Sequence, residues 1–253
     1  MEVLGVDIGG SGVKGALVDV KKGGVLGHWY RIPTPQPSVP DAVATTVAKI
    51  VKHFGWQGPV GCTFPAVVKA GIVYTAANVD DSWIGVDGKK LLEERTGCPV
   101  LLLNDADAAG VAEIKFGAGK GRKGVVFVLT LGTGIGSALF VNGMLMPNTE
   151  LGHMQIRCGA AGGVEAENYA SDRIRKEEKL SWSEWAARVN EVLSRFEFLF
   201  SPDLFIIGGG VSKKPEKYLP LLSTRAEVIP AQLRNEAGIV GAALAAKALK
   251  KKT

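Results

Sequence analysis

Two segments of this chain are near copies of each other. "DIGGSGVKGALV", from Asp7, and "TLGTGIGSALF", from Thr130, both run from a strand through glycine, small residue and glycine to a branched apolar residue and Ala-Leu. Gly9 aligns with Gly132, Gly12 with Gly134, Val13 with Ile135, and Ala16-Leu17 with Ala138-Leu139; the second turn is one residue shorter. Val3, Leu4, Val6 and Ile8 read as a buried strand, and Val13, Ala16, Leu17 and Val18 as its partner. Glycines in the turn between them leave the main chain open to a ligand, and its N–H groups form a concavity suited to phosphate oxygens. Asp7, Gly9, Gly10, Ser11, Gly12 and Lys14 are the candidates in the first copy, and Gly132, Thr133 and Gly134 in the second. One such hairpin reads equally well as a tight turn with an incidental acid. A repeat half a chain away points to two related halves serving one ligand.

The remaining pattern interleaves strands with helices and so predicts an α/β fold. "HWYRIPTPQPSVP" reads as a proline-rich connection to a helix, with Ser38 and Asp41 at capping spacing and an apolar face of Val43, Val47, Ile50, Val51 and Phe54. "PVGCTFPAVV", "GIVYTAANV" and "CPVLLLND" read as strands, and "DGKKLLEERTG" as a helix ending at Gly97. Ser181 and Glu184 form a capping box before a helix whose stripe is Trp182, Trp185, Val189, Val192, Leu193, Phe196 and Leu199. "DLFIIGGGVS" is a buried strand entering a glycine turn, and "GIVGAALAAKALKKK" a final small-residue helix with a basic end. At 253 residues, 46% of them hydrophobic, the chain can bury one large core or two modest ones. Cys62, Cys98 and Cys158 are scattered, no apolar run has transmembrane length, and the opening residues carry no signal pattern, so a cytoplasmic location is expected. The net charge of +5 fits a bland surface or a polyanionic ligand, and no nucleic-acid recognition motif accompanies it.

Several polar groups stand where chemistry is plausible. "LLLNDADAAG" places Asn104 and Asp105 at the carboxyl end of a strand, where ligands gather in open α/β sheets. Asp105 there is either a base for a substrate hydroxyl or the N-cap of the next helix. "ELGH" offers Glu150 and His153, as ligands, surface charge or a satisfied histidine, and "VEAENYAS" offers Glu165 and Glu167, as ligands or exposed helix charge. "KFGAGKGRKG" gathers Lys115, Lys120, Arg122 and Lys123 before the second hairpin, as a solvated loop or a track for a chain of phosphates.

"DIGGSGVKGALVD", "LGTGIG", "ELGH", "ENYAS" and "IIGGGVS" occur in an order that resembles sugar kinases of the repressor–ORF–kinase (ROK) family over nearly the whole chain. "TAANVDDSW", "LLLNDADAAGVAEIKFGAGKGRKG" and "TLGTGIGSALF" are most similar to its polyphosphate-using members. The resemblance implies a two-lobed actin-like, hexokinase-like ATPase fold. Residues 1–104, completed by a C-terminal helix at about 236–253, would form the smaller lobe, and residues 105–235 the larger one. It also implies phosphorylation of glucose at the 6-hydroxyl from inorganic polyphosphate, and in some members ATP, with Mg2+ as cofactor and a homodimer as assembly. An ATP-dependent glucokinase or mannokinase and a non-catalytic sugar sensor are the other functions such a chain could have.

Carried over by motif, Asp105 matches the catalytic base. Asn78, Asn104, Glu150, His153 and Glu167 match hexose contacts, with Asp105 beside them. Asp7 and the two glycine turns match the phosphate and magnesium region, and Gly208, Gly209 and Gly210 the loop beside a nucleoside. A structural zinc held by a cysteine cluster in many members is not expected, since "GHMQIRCGAAGGVEAE" offers only Cys158. No DNA-binding helix-turn-helix is expected either. Closure of two lobes around glucose, keeping water from the phosphoryl group, is expected.

Overall fold

β1 (Glu2–Ile8) and β2 (Val13–Asp19) pair antiparallel with Asp7 opposite Lys14, as the alternation predicts. This computed structural model describes residues 1–76, 79–157 and 163–252. The chain divides into two units, Met1–Ala112 with Glu236–Thr253, and Glu113–Asn235.

In the first unit the chain continues into β3 (Gly24–Ile32), so "HWYRI" is strand and not connection. Its largely exposed side chains hide the two-residue period that marks a half-buried strand. α1 (Pro40–His53) buries Val43, Val47, Ile50 and Val51, but the expected cap is absent. Pro40 at the first turn presets the backbone there, Ser38 instead accepts from the Asp80 N–H, and Asp41 pairs with Arg95 at 2.6 Å. β4 (Val60–Phe64) is fully buried, and β5 (Val68–Lys69) and β6 (Ile72–Val73) form a short ribbon that takes up part of "GIVYTAANV". α2 (Gly88–Thr96) starts at an Asp87 cap and ends at Gly97 in the left-handed region, φ 69°. β7 (Val100–Asn104) then leads directly into α3 (Asp105–Phe116). The sheet order is β3-β2-β1-β4-β7, antiparallel through the first three strands and parallel through the last three.

In the second unit, β8 (Val125–Leu131), β9 (Ile135–Val141) and β10 (Met144–Met146) form the antiparallel part. β11 (Gln155–Arg157) pairs with β12 (Val164–Glu165), and the short helices α4 (Glu167–Ala170) and α5 (Asp172–Glu177) follow. α6 (Trp182–Phe200) has the predicted capping box and buries Trp185, Val189, Val192, Leu193 and Phe196, with Phe196 stacked on Phe127 at 5.4 Å. Leu199, expected on that stripe, is exposed. β13 (Leu204–Gly208) and β14 (Glu227–Pro230) complete a sheet of order β10-β9-β8-β13-β14. The two sheets therefore share one topology: three antiparallel strands, then two added in parallel. The hairpin repeat is the visible part of a repeat of the whole sheet.

The closing helix α7 (Ala237–Ala246) returns to the first unit and lies against β1, β4 and α3. Its small residues have a steric cause. A Cβ added at Gly5 would strike the Ile239 carbonyl, one at Gly61 that of Ala242, and one at Gly241 that of Ala108. Backbone meets backbone there, and only glycine leaves the room. Among the described residues no helix is long and apolar enough to cross a membrane.

Candidate functional site

Both glycine turns are closed by the same bond: Gly9 N–H to Gly12 O at 3.1 Å, and Gly132 N–H to Gly134 O at 3.0 Å. Both are also gripped by an arginine that sequence patterning missed. Arg31 donates to the Ser11 carbonyl at 2.7 Å, and Arg173 Nε to the Thr133 carbonyl at 3.0 Å. Ser11 and Thr133 hold matching places, each just before the last glycine of its turn. With tip carbonyls tied back to guanidinium groups, each turn combines exposed main chain with a fixed positive charge, the requirement for a phosphate cradle. A Cβ at Gly12 would strike Arg31, and one at Gly134 would strike the Glu167 carboxylate.

Asp7 is held at both oxygens. Thr63 Oγ1 donates to Oδ1 at 2.8 Å, and Lys14 Nζ lies 2.9 Å from Oδ2. Lys14, expected among the phosphate ligands, is thus also the ion-pair partner of Asp7.

At the same, carboxyl end of this sheet, on β7, the sequence left two jobs open for Asp105, and the structure divides them. Asn104 is the buried cap: its Oδ1 accepts from the N–H groups of Ala106 at 2.9 Å and Asp107 at 3.1 Å, while Nδ2 donates to the Ala66 carbonyl at 3.1 Å. Asn104, expected to touch a sugar, is turned inward. Asp105, relieved of capping by its neighbour, is exposed at the first turn of α3, with Oδ1 accepting from the Ala106 N–H at 2.8 Å. Asn78 lies outside the described residues.

In the second unit, Glu167 opens α4, and its Oε2 accepts from the Ile135 N–H at 3.4 Å, directly behind the second turn. His153, Glu165 and Glu167 each offer a ligand atom within 4.8 Å of the others. His153 Nδ1 is 3.2 Å from Glu165 Oε2, and Nε2 is 3.9 Å from Glu150 Oε2. The Glu165 oxygen also accepts from Asn168 at 3.2 Å, and Arg173 donates to Asn168 Oδ1 at 3.0 Å. The imidazole is thereby linked through Glu165, Asn168 and Arg173 to the second glycine turn. Partial burial opposes charge on His153, but the hydrogen bond to Glu165 and the carboxylates of Glu167, Glu165 and Glu150 outweigh it, and the imidazolium is favoured. Glu150 is pushed up from the ordinary carboxyl range, first by burial and then by Glu167, with His153 opposing. Cys158, on which the expectation about zinc turned, lies outside the described residues.

Gly208 ends β13, and Gly209 adopts φ 79° where a Cβ would strike the Leu131 backbone, so its lack of a side chain has a structural cause. Gly210 is exposed beside Asp172 of α5.

The expected basic track does not adjoin the second glycine turn. Lys115, Lys120, Arg122 and Lys123 are exposed, but they precede β8, whereas the glycine turn follows it. Seven residues of strand, roughly 20 Å, separate them. Arg122 is in addition paired with Glu227. Adjacent in sequence to the strand, these cations stand at the end of β8 opposite the turn.

Comparison with known proteins gives four further findings. The family model described as "ROK family" matches residues 3–174. The polyphosphate glucokinase of Mycobacterium tuberculosis (strain CDC 1551 / Oshkosh) is 50% identical over 246 residues, covering 97% of this chain and 91% of that protein. The crystal structure of the inorganic polyphosphate/ATP-glucomannokinase from Arthrobacter sp. strain KM superposes with a TM-score of 0.92 at 50% identity, over 98% of this chain and 99% of that one. A ROK family glucokinase from Streptomyces griseus, in complex with glucose and AMPPNP, has a TM-score of 0.81 at 26% identity, over 98% of this chain and 100% of that one. With the duplicated sheet topology, these likenesses give the chain the actin-like, hexokinase-like ATPase fold.

Proposed function

The chain belongs to the ROK family, and on that premise we propose that it is a glucokinase that moves a phosphoryl group from inorganic polyphosphate to the 6-hydroxyl of glucose. The observation that carries the chemistry is the division of labour at the start of α3: buried Asn104 caps the helix, and exposed Asp105 keeps a carboxylate at the carboxyl end of β7. In this reading Asp105 takes the hydroxyl proton as the sugar oxygen attacks the terminal phosphorus, and the bridging oxygen leaves with the shortened polyphosphate.

A neutral hexose offers only hydroxyls, so its ligands must be paired donors and acceptors. Glu150, His153 and Glu167 supply them, and Glu165 fixes the imidazole so that Nε2 faces the sugar. Asn78 completes the set by motif. Phosphoryl transfer asks mainly for positioning and charge neutralisation. The two glycine turns, with Arg31 and Arg173 behind their tips, provide fixed N–H dipoles and positive charge. Asp7 fits magnesium held through water: both of its oxygens already have protein partners, and magnesium keeps most of its hydration shell. The ion, when bound, neutralises charge on the donor phosphates.

ATP as a second donor is supported by the naming of the Arthrobacter relative for both donors. Action as a cytoplasmic homodimer belongs to the same reading, and analytical ultracentrifugation tests the assembly. The deciding experiment supplies purified protein with glucose, magnesium and either long-chain polyphosphate or ATP, and follows glucose 6-phosphate. Formation from polyphosphate is the expected result; formation from ATP alone would overturn polyphosphate as donor, and formation from neither would overturn the reading whole.

A further inference from the structure

A donor that is a chain of phosphates needs cations beyond its reacting end, and the loop before β8 is too far away to supply the first of them. The run that does continue from the second glycine turn is made by α5 and the segment after β13. Arg173 donates its backbone N–H to Gly132 O and its Nε to Thr133 O, both at 3.0 Å. The neighbouring Asp172 is nearly buried and is held by Arg175 at 2.8 Å and Lys176 at 2.7 Å. A Cβ at Gly210 would lie 4.0 Å from Asp172 Oδ2, which brings the glycine loop after β13 to α5. From that loop the chain passes at once to Lys213, Lys214 and Lys217. β13 runs parallel to β8 with Gly208 opposite Thr130, so these lysines leave the sheet at the end where the glycine turn stands.

The segment is also built to hold its charges still. Val211 and Ser212 are buried on one side and Tyr218 is fully buried on the other, within the cluster that contains Trp185. The chain takes two tight 3₁₀ turns here, Gly210–Lys213, which carries the first anchors, and Pro215–Lys217, which begins at a proline. The three lysines are exposed, and no ion pair among the described residues uses them. One acid, Glu216, lies among them. A rigid arch with three unengaged ammonium groups attracts a flexible polyanion without the ordering cost of a mobile loop.

We propose that Lys213, Lys214 and Lys217 form the track for the part of an inorganic polyphosphate chain that lies beyond the reacting phosphate, and so favour a long polyanion over a nucleotide. The inference rests on the donor reading above. Its test is the triple variant Lys213→Gln/Lys214→Gln/Lys217→Gln in the full chain, beside Lys120→Gln/Lys123→Gln. The triple variant should raise KM for long-chain polyphosphate by roughly tenfold at low salt. It should also reduce the slope of log KM against log salt concentration by about two, because three phosphate contacts no longer release counterions. KM for glucose and the melting temperature should stay near those of the parent. An unchanged donor KM and salt slope, with the parent active on polyphosphate, would overturn the track and leave the donor reading standing. An equally large rise in the Lys120/Lys123 variant would overturn it too, by showing attraction to charge anywhere on the surface. A parent that accepts only ATP would overturn the donor reading, and the track with it.

Discussion

His153 and Glu165 are 12 residues apart in sequence, and their side chains meet with Nδ1 3.2 Å from Oε2. The carboxylate sets which way the imidazole faces and favours its charged form, with Glu167 and Glu150 adding to the same field. Glu165→Gln keeps the shape and removes the charge. Glucose KM should rise several-fold, and the alkaline limb of the pH–activity profile should move to lower pH. A variant with the parent's profile would show that Glu165 does not control the ring. The stability linkage has a definite sign. Because the folded pKa of His153 is raised above its ordinary 6.5, the associated stability is present below about that pH and lost as pH rises through the folded value. Denaturant titrations across that window should show a shallower loss in Glu165→Gln.

Asp105→Asn should separate chemistry from folding. The amide can still accept from the Ala106 N–H but cannot take a proton. Turnover should fall by roughly two to four powers of ten with little change in glucose affinity or melting temperature. Asn104→Ala should do the reverse in kind, costing about 1–2 kcal/mol of stability through loss of a buried cap. Steady-state kinetics and urea unfolding on the same two proteins distinguish the roles; near-normal turnover in Asp105→Asn would rule it out as the base.

Glu150→Gln should trade activity for stability. Burial and the Glu167 charge raise the Glu150 pKa, so the folded chain holds this proton to higher pH than the unfolded one. Its contribution therefore declines as pH rises from about 4.5 through the folded value, and remains unfavourable above it. At neutral pH the glutamine variant should unfold at equal or higher denaturant than the parent while glucose KM rises. At acid pH the difference in midpoint should vanish.

Glycine content is high, but its positions are not equivalent. Gly241→Ala drives a methyl group into the Ala108 carbonyl and should destabilise the first unit by about 1–3 kcal/mol. Gly24→Ala meets nothing within 4 Å and should be neutral or slightly stabilising. Thermal unfolding of the pair checks the contrast.

Local, contiguous features were the ones legible in sequence. The glycine turns, the Ser181–Glu184 cap and the Gly97 stop each lie within a few residues, where spacing alone carries the geometry. Features that depend on where a strand ends were not legible. The basic loop looked adjacent to the second turn because sequence distance does not register that β8 carries the chain from one end of the sheet to the other. Arg31 and Arg173 stood in no motif, being 20 and 40 residues from the carbonyls they hold. Asn104 and Asp105 looked alike as polar neighbours, and only burial separates the cap from the exposed acid.

The position of α7 has a consequence for biosynthesis. α7 leaves the ribosome well after β1 and β4, the strands it lies against. At translation rates of roughly 5–20 residues per second, on the order of ten seconds pass between the two events. All of residues 113–235 is made in that interval, as one uninterrupted stretch. Until then β1 and β4 must wait with an open face, and the unit begun before residue 113 is finished only after residue 235.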